Sequence, residues 1–367
     1  MNLIAEEVAR RITQVVEKPC DQYSQWITQE DRDAVSYAAA MDPGPNGPHV
    51  AQLVEDLKKL TGAPFVIPTI SGTAALHLAL MSLRRGLPRA VVMHAGTYVA
   101  AANVVRQMSE FVSTYYVDSC GDGNIDLTDV AGVVAGTYDP VVIHSHLLGN
   151  YAGDITKQIG TTLDLIEDCS QALGVASEWR DHHVGRAGLA GTLSFAANKI
   201  VTGGQGGALI TDHLDIYERA TVIARQGRGK IMGEAVGDNL RMSALSAALV
   251  CSQLARLPAT IRQLGQVRQI WKCKFADMEE GDVRMLPVPR QTNYWAPVLM
   301  LPDRIARDVV HEILMGQGIC TRPMWEPIYR LPAHYVPHVG QGVADDIAAR
   351  GLILPTGPGL ANRLGIV

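Results

Sequence analysis

The sequence predicts an α/β fold, a mainly parallel seven-stranded sheet with helices on both faces and a smaller C-terminal α+β domain, on three observations. Seven short apolar, mostly β-branched runs fall at 65–70, 90–94, 112–117, 141–146, 163–167, 192–195 and 208–211. Several are separated by stretches whose apolar residues recur at helical spacing, as crossovers between parallel strands require. Farther on, the order becomes strand, helix and extended segment, which suits a small α+β unit. The expected division is 1–255, N-terminal helices plus the large domain, and 256–367, the small domain.

Taken in order, apolar residues at 3–16 and again at 31–40 repeat with helical period, the second after Pro19 and a turn at 28–31. Both are expected as helices laid over the body of the protein. The prolines and glycines of 41–48 demand a loop, and 53–60 predicts a short helix before the first strand. After that strand, 74–83 is an amphipathic helix. Beyond Met242, the pattern predicts a helix over 245–257 that ends at Pro258, and a second over 261–275. A strand over 293–300, a helix over 303–316 and the segment 318–327 complete the small domain. Repeats and low-complexity tracts are absent.

A chain of 367 residues buries a large core, and a net charge of -5 offers no basic field for nucleic acid. No apolar run approaches the span of a membrane, and the first residues lack a signal-peptide layout, so a cytoplasmic location is expected. The six cysteines are scattered without CxxC spacing, and neither a metal site nor a disulfide framework is expected from them.

Chemistry concentrates around one lysine. Lys199 follows the run 193–197 and precedes a glycine-rich turn, where an amine would be dry and near peptide dipoles. Desolvation lowers a lysine pKa, and a free amine is what a Schiff base with an aldehyde requires. The plainer alternative is a lysine snorkelling from a strand end. Ser71, Gly72 and Thr73 open a helix after a strand, which reads either as a phosphate cradle or as an ordinary N-cap. Asp168 ends an apolar strand and is either a partner for a protonated ring nitrogen or a helix-capping acid.

Six segments, 71–80, 96–103, 146–149, 166–174, 194–199 and 237–242, resemble in order those of the DegT/DnrJ/EryC1/StrS sugar aminotransferase family. The resemblance runs from about residue 49 to 360. It implies a fold-type-I, aspartate-aminotransferase-like enzyme dependent on pyridoxal 5'-phosphate. It further implies Lys199 and Asp168 as catalytic residues, and Ser71, Gly72, Thr73, Tyr98, Asp168, Gln171, Ser194 and Lys199 around the cofactor. Tyr98 would stack on the ring, Gln171 approach its phenolic oxygen and Ser194 meet the phosphate. Asn239 matches an asparagine that reaches the phosphate from a partner subunit, so a homodimer with shared sites is implied. Cys169 then reads as a small residue making room rather than a nucleophile. His146, Arg241, Arg322 and Trp325 are candidate substrate residues, with a packing role open for His146 and a surface role for either arginine.

Segments 198–207, 293–295 and 321–325 resemble the branch that aminates UDP-linked 4-keto-6-deoxy-N-acetylhexosamines, as in legionaminic acid and bacillosamine routes. Such an enzyme takes a nucleotide sugar and an amino acid, by family habit glutamate, in amino-sugar and glycan biosynthesis. The alternatives are a perosamine-type 4-aminotransferase acting on a GDP-linked sugar and a regulatory protein that keeps the fold without turnover. A dehydratase reading is opposed by Lys199, because the resembling dehydratases carry histidine there. Gln205, Asp238, Leu240 and Tyr329 depart from the usual family residues along the substrate approach.

Overall fold

The computed structural model describes residues 3–366 apart from 85, 87, 89, 109–111, 161–162, 179–181, 282 and 336–341. Seven strands build the main sheet: β1 (Phe65–Thr69), β2 (Ala90–His94), β3 (Ser113–Val117), β4 (Pro140–Ser145), β5 (Asp164–Asp168), β6 (Ala190–Ser194) and β7 (Gly207–Thr211). Their spatial order is β1-β7-β6-β5-β4-β2-β3, with β7 alone antiparallel to its neighbours. All seven strands read from the sequence are present, each within a residue or two of its expected bounds.

Helices α1 (Leu3–Thr13), α2 (Gln29–Met41) and α3 (Pro48–Thr61) precede the sheet. Within and after it come α4 (Gly72–Met81), α5 (Val99–Met108), α6 (Leu127–Ala135), α7 (Thr156–Ile159), α8 (Leu214–Ala224), α9 (Ala244–Leu254) and α10 (Leu257–Phe275). The strands alternate between two cores, as a period of two requires. Val91, Met93, Val141, Ile143 and Leu209 pack with α4, α5 and α8, through Leu78, Val104 and Ile223. Val92, Val142 and Leu165 face Val130 of α6, while Val66, Leu193 and Ile210 meet Leu57 of α3 and Val250 of α9.

A second sheet, in the order β10-β11-β9-β8, comprises β8 (Arg284–Met285), β9 (Val298–Met300), β10 (Arg322–Pro323) and β11 (Gly351–Ile353). Helices α11 (Arg304–Gly316), α12 (Val343–Arg350) and α13 (Pro358–Arg363) accompany it. Its core joins Leu299, Val310 and Leu352 with Trp271 and Phe275 from the end of α10. The apolar face of α1, with Val8 and Ile12, belongs to this same cluster, so α1 packs with the second sheet rather than over the first. Helix α10 bridges the two bodies, Leu257 and Leu264 packing in the large core and Trp271 in the small one.

Three expectations are corrected. The helix after Met242 stops at Leu254, and Pro258 sits in the first turn of α10, where its missing N–H is no loss. The strand expected over 293–300 shrinks to β9, because Tyr294 adopts φ +58° and Asn293 turns its amide onto the carbonyls of Gln171 and Leu173 (3.0 Å each). The helix expected over 53–60 begins at Pro48 and closes on Gly62, whose φ of +73° makes the left-handed cap.

Candidate active site

The C-terminal ends of β1, β5 and β6 and the start of β7 meet at one rim. Leaving β1, Ser71 caps α4 by accepting the Ala74 N–H at 3.0 Å, and Thr69 Oγ1 donates to the Ser71 carbonyl at 2.9 Å. Gly72 follows because nothing larger fits, since a Cβ there would stand 2.7 Å from that of Ser194. The first turn of α4 therefore lies against the end of β6, with unpaired helix N–H groups beside two serine hydroxyls.

Asp168 is the last residue of β5. Its Oδ1 accepts the Ser170 N–H at 3.0 Å and the Thr192 hydroxyl at 3.3 Å, which fixes the carboxylate at the cavity wall. Residues 195–206 then loop from β6 back to β7. Phe195 donates to Gly206 O at 2.8 Å, and Gln253 brackets Thr202, accepting its N–H at 3.1 Å and donating to its carbonyl at 2.8 Å. Gln25 donates to the carbonyls of Ala197 and Lys199 at 2.9 and 2.8 Å, and the Trp295 indole N–H donates to Asn198 O at 2.7 Å. The turn that carries Lys199 is thus tied to three separate parts of the chain.

Lys199 lines the cavity and is partly exposed. Burial pushes its ammonium down to about 8, against the opposing pull of Asp168. Its Nζ lies 4.5 Å from the centroid of the Trp295 ring. Tyr98, half exposed just before α5, stands edge-on to Trp325 with ring centroids 6.0 Å apart, and Trp325 donates its indole N–H to Gly96 O at 2.6 Å. Gln171 spends its Oε1 on the Leu148 N–H at 2.7 Å, holding the 146–149 turn in which Leu148 has φ +58°.

One cavity collects Ser71, Gly72, Thr73, Tyr98, Asp168, Gln171, Ser194 and Lys199, together with Arg322 and Trp325. Three expected residues lie outside it. His146 is wholly buried: its Nδ1 accepts the Ala152 N–H at 3.1 Å, so its Nε2 donates to Glu167 Oε1 at 3.0 Å. Of the two roles left open for it, this placement supports packing. Arg241 has its backbone bridged to Thr69 along the edge of β1 and is not among the residues that line the cavity. Asn239 is exposed, with its backbone bridged to Arg225.

Ser170, Asn198 and Trp295, not expected as site residues from the sequence, also line the cavity, as does Gln205, which was expected along the substrate approach. Asn198 and Ser170 were legible as neighbours of Lys199 and Asp168. Trp295 was not, because a strand was expected where the chain makes a left-handed turn. Cys169 is fully buried and its thiol is pushed well up, chiefly by burial, so it is no nucleophile.

The arrangement offers an anion cradle, a fixed carboxylate, an amine whose pKa burial lowers to about 8 and a flanking aromatic ring, which is the donor set pyridoxal phosphate needs. The glycine cradle at Gly72 is the most specific part of that fit, as a Cβ would fill it. Comparison with known proteins agrees. The model of the DegT/DnrJ/EryC1/StrS aminotransferase family matches residues 25–363. GDP-perosamine synthase of Escherichia coli O157:H7 is 26% identical over 301 residues, covering 80% of each chain. The putative pyridoxal phosphate-dependent aminotransferase EpsN of Bacillus subtilis (strain 168) is 28% identical over 339 residues, 87% of this chain and 85% of that one. DesI, solved in the presence of its TDP-sugar product, superposes with a TM-score of 0.83 at 25% identity, over 96% of this chain and 93% of its own. The chain belongs to the DegT/DnrJ/EryC1/StrS aminotransferase family and is pyridoxal-phosphate-dependent.

Proposed function

We propose that the chain transfers an amino group from an amino acid, glutamate in the first instance, to a nucleotide-linked 4-keto-6-deoxy sugar. The observation that carries this reading is the meeting of Lys199, Asp168 and the Ser71–Ser194 cradle in one cavity that Arg322, Trp325 and Tyr98 also line. When bound, pyridoxal phosphate supplies an aldehyde carbon and an electron-withdrawing ring. Ser71, Thr73, Ser194 and the α4 amides hold its phosphate. Asp168 keeps a proton on the ring nitrogen. The Lys199 amine, with a pKa of about 8, is present as free base in a useful fraction near neutrality and moves a proton at the donor's Cα.

Two nucleotide classes compete. Motifs at 198–207, 293–295 and 321–325 support a UDP-linked acceptor, and the similarity to GDP-perosamine synthase supports a GDP-linked one. We further propose a homodimer in which Asn239 reaches the cavity of the partner. In support, the segment that carries Asn239 leaves Ile231, Met232 and Val236 exposed.

The test is incubation with pyridoxal phosphate, glutamate and UDP- or GDP-linked 4-ketosugars, followed by mass spectrometry of the sugar and assay of 2-oxoglutarate. Borohydride reduction should fix the cofactor on the peptide containing Lys199, and Lys199→Ala should carry none. Fixation on another lysine, or no 2-oxoglutarate from the wild type, overturns the reading; the second result is what a regulatory protein of this fold would give. Mixing Lys199→Ala with Asn239→Ala subunits should restore part of the activity if sites are shared. A mixture as inactive as either parent would reject the shared site.

A further inference from the structure

The Lys199 amine meets the face of Trp295, a residue from the β8–β9 connection of the second sheet, which is 5% exposed and packed against Tyr23 with ring centroids 6.5 Å apart. Among the described residues Nζ makes no hydrogen bond or ion pair, and its contact is with the indole face. The same indole grips the loop itself, through the 2.7 Å bond from Nε1 to Asn198 O.

Trp295 is in turn locked from behind. Its backbone N–H donates to Asn293 Oδ1 at 3.0 Å, and the Asn293 amide donates to the carbonyls of Gln171 and Leu173 at 3.0 Å. Gly149 leaves no slack, since a Cβ there would lie 1.9 Å from Asn293 Oδ1. An unbroken run of contacts therefore leads from the strand-end loops after β4 and β5, through Asn293, to the ring that covers the amine.

From this geometry we propose that Trp295 is a positioning residue: it seats the Lys199 amine whenever that amine is free and shuts it off from bulk water. This deepens the functional reading and rests on Lys199 as the cofactor-bearing lysine. Two effects of the ring oppose each other. Its bulk excludes water, which disfavours the ammonium, and its π face attracts the ammonium. The other titratable groups lining the cavity are Asp168 on β5, Tyr98 before α5 and Arg322 on β10, and every variant below keeps them.

The test uses cofactor-free protein, trace acetylation with acetic anhydride across a pH series, and peptide mass spectrometry of Lys199, with exposed Lys59 and Lys272 as references in each sample. Wild-type Lys199 should reach half-maximal reactivity near pH 8. Trp295→Ala, which admits water, should raise that midpoint by about one pH unit. Trp295→Leu keeps the apolar cover without a π face and should lower it by about half a unit. Trp295→Phe should stay close to wild type. The proposal is overturned if Ala leaves the midpoint unmoved, or if Leu and Phe coincide; should the Ala variant fail to fold, the Leu and Phe pair decides. Unchanged midpoints with borohydride fixation still on Lys199 reject Trp295 alone, whereas fixation elsewhere rejects the functional reading and leaves these midpoints standing.

Discussion

On one wall of the cleft, Asp168 and Ser194 close β5 and β6, and each stands where the ladder of the main sheet leaves it. On the other, Trp295, Arg322 and Trp325 arrive on a left-handed turn, a two-residue strand and an irregular segment, positioned by short pairings and a few hydrogen bonds such as that from Trp325 to Gly96 O. The first wall inherits its geometry from many cooperating backbone bonds, and the second from a few directed ones. Under the function proposed above, chemistry that tolerates no displacement would fall to the first, and selection among acceptors, which can be retuned one residue at a time, to the second.

The largest test of that contrast is Asp168→Ala. Loss of the acid should lower turnover by roughly two to four orders of magnitude at saturating donor, and near-normal turnover would remove the strand-end wall from the chemistry. Next comes Glu167→Gln, one residue away and buried, which leaves the second wall untouched. Burial alone would raise the Glu167 carboxyl, yet the His146 hydrogen bond and the Ala187 N–H hold it down to about 2. Breaking one partner of such a pair should destabilise by about 3 kcal/mol in urea unfolding near pH 7. A depressed acid stabilises above its ordinary value, so the wild type's advantage should be full above pH 4.5 and fade as pH falls towards 2. An advantage constant over that range would place the effect in packing instead.

Gly72→Ala is the third, forcing apart α4 and the end of β6. It should cost about 1–3 kcal/mol and weaken cofactor binding, measurable by equilibrium dialysis. The smallest is Trp325→Phe on the second wall. Losing one indole hydrogen bond should raise the acceptor KM about 3- to 10-fold and leave the glutamate half-reaction alone. An equal drop in kcat would mean that the two walls do not divide the work.

How legible each wall was follows from the same difference. Alternating apolar runs gave all seven main strands, and the strand-end positions of Asp168 and Ser194 came with them. Trp295 escaped, because its place depends on the positive φ of Tyr294 and on Asn293 bonding across more than a hundred residues, neither of which leaves a periodic trace. For His146 the sequence left substrate contact and packing both open, and what decides between them, the engagement of its two ring nitrogens with Ala152 and Glu167, leaves no periodic trace either. The membership of α1 in the second core was likewise hidden, since amphipathicity reveals a buried face but not what buries it.

The reversed direction of β7 bears on how the amine stays aimed. A parallel successor to β6 would have sent the chain to the far edge of the sheet before it could return. Because β7 runs the other way, the arch bearing Lys199 has both feet on one sill, Ser194 beside Gly207, with Asp168 one strand along and opposite Thr192. Lys199 and Asp168 therefore share a single foundation, and a tilt of the whole slab carries the two together without altering the gap between them.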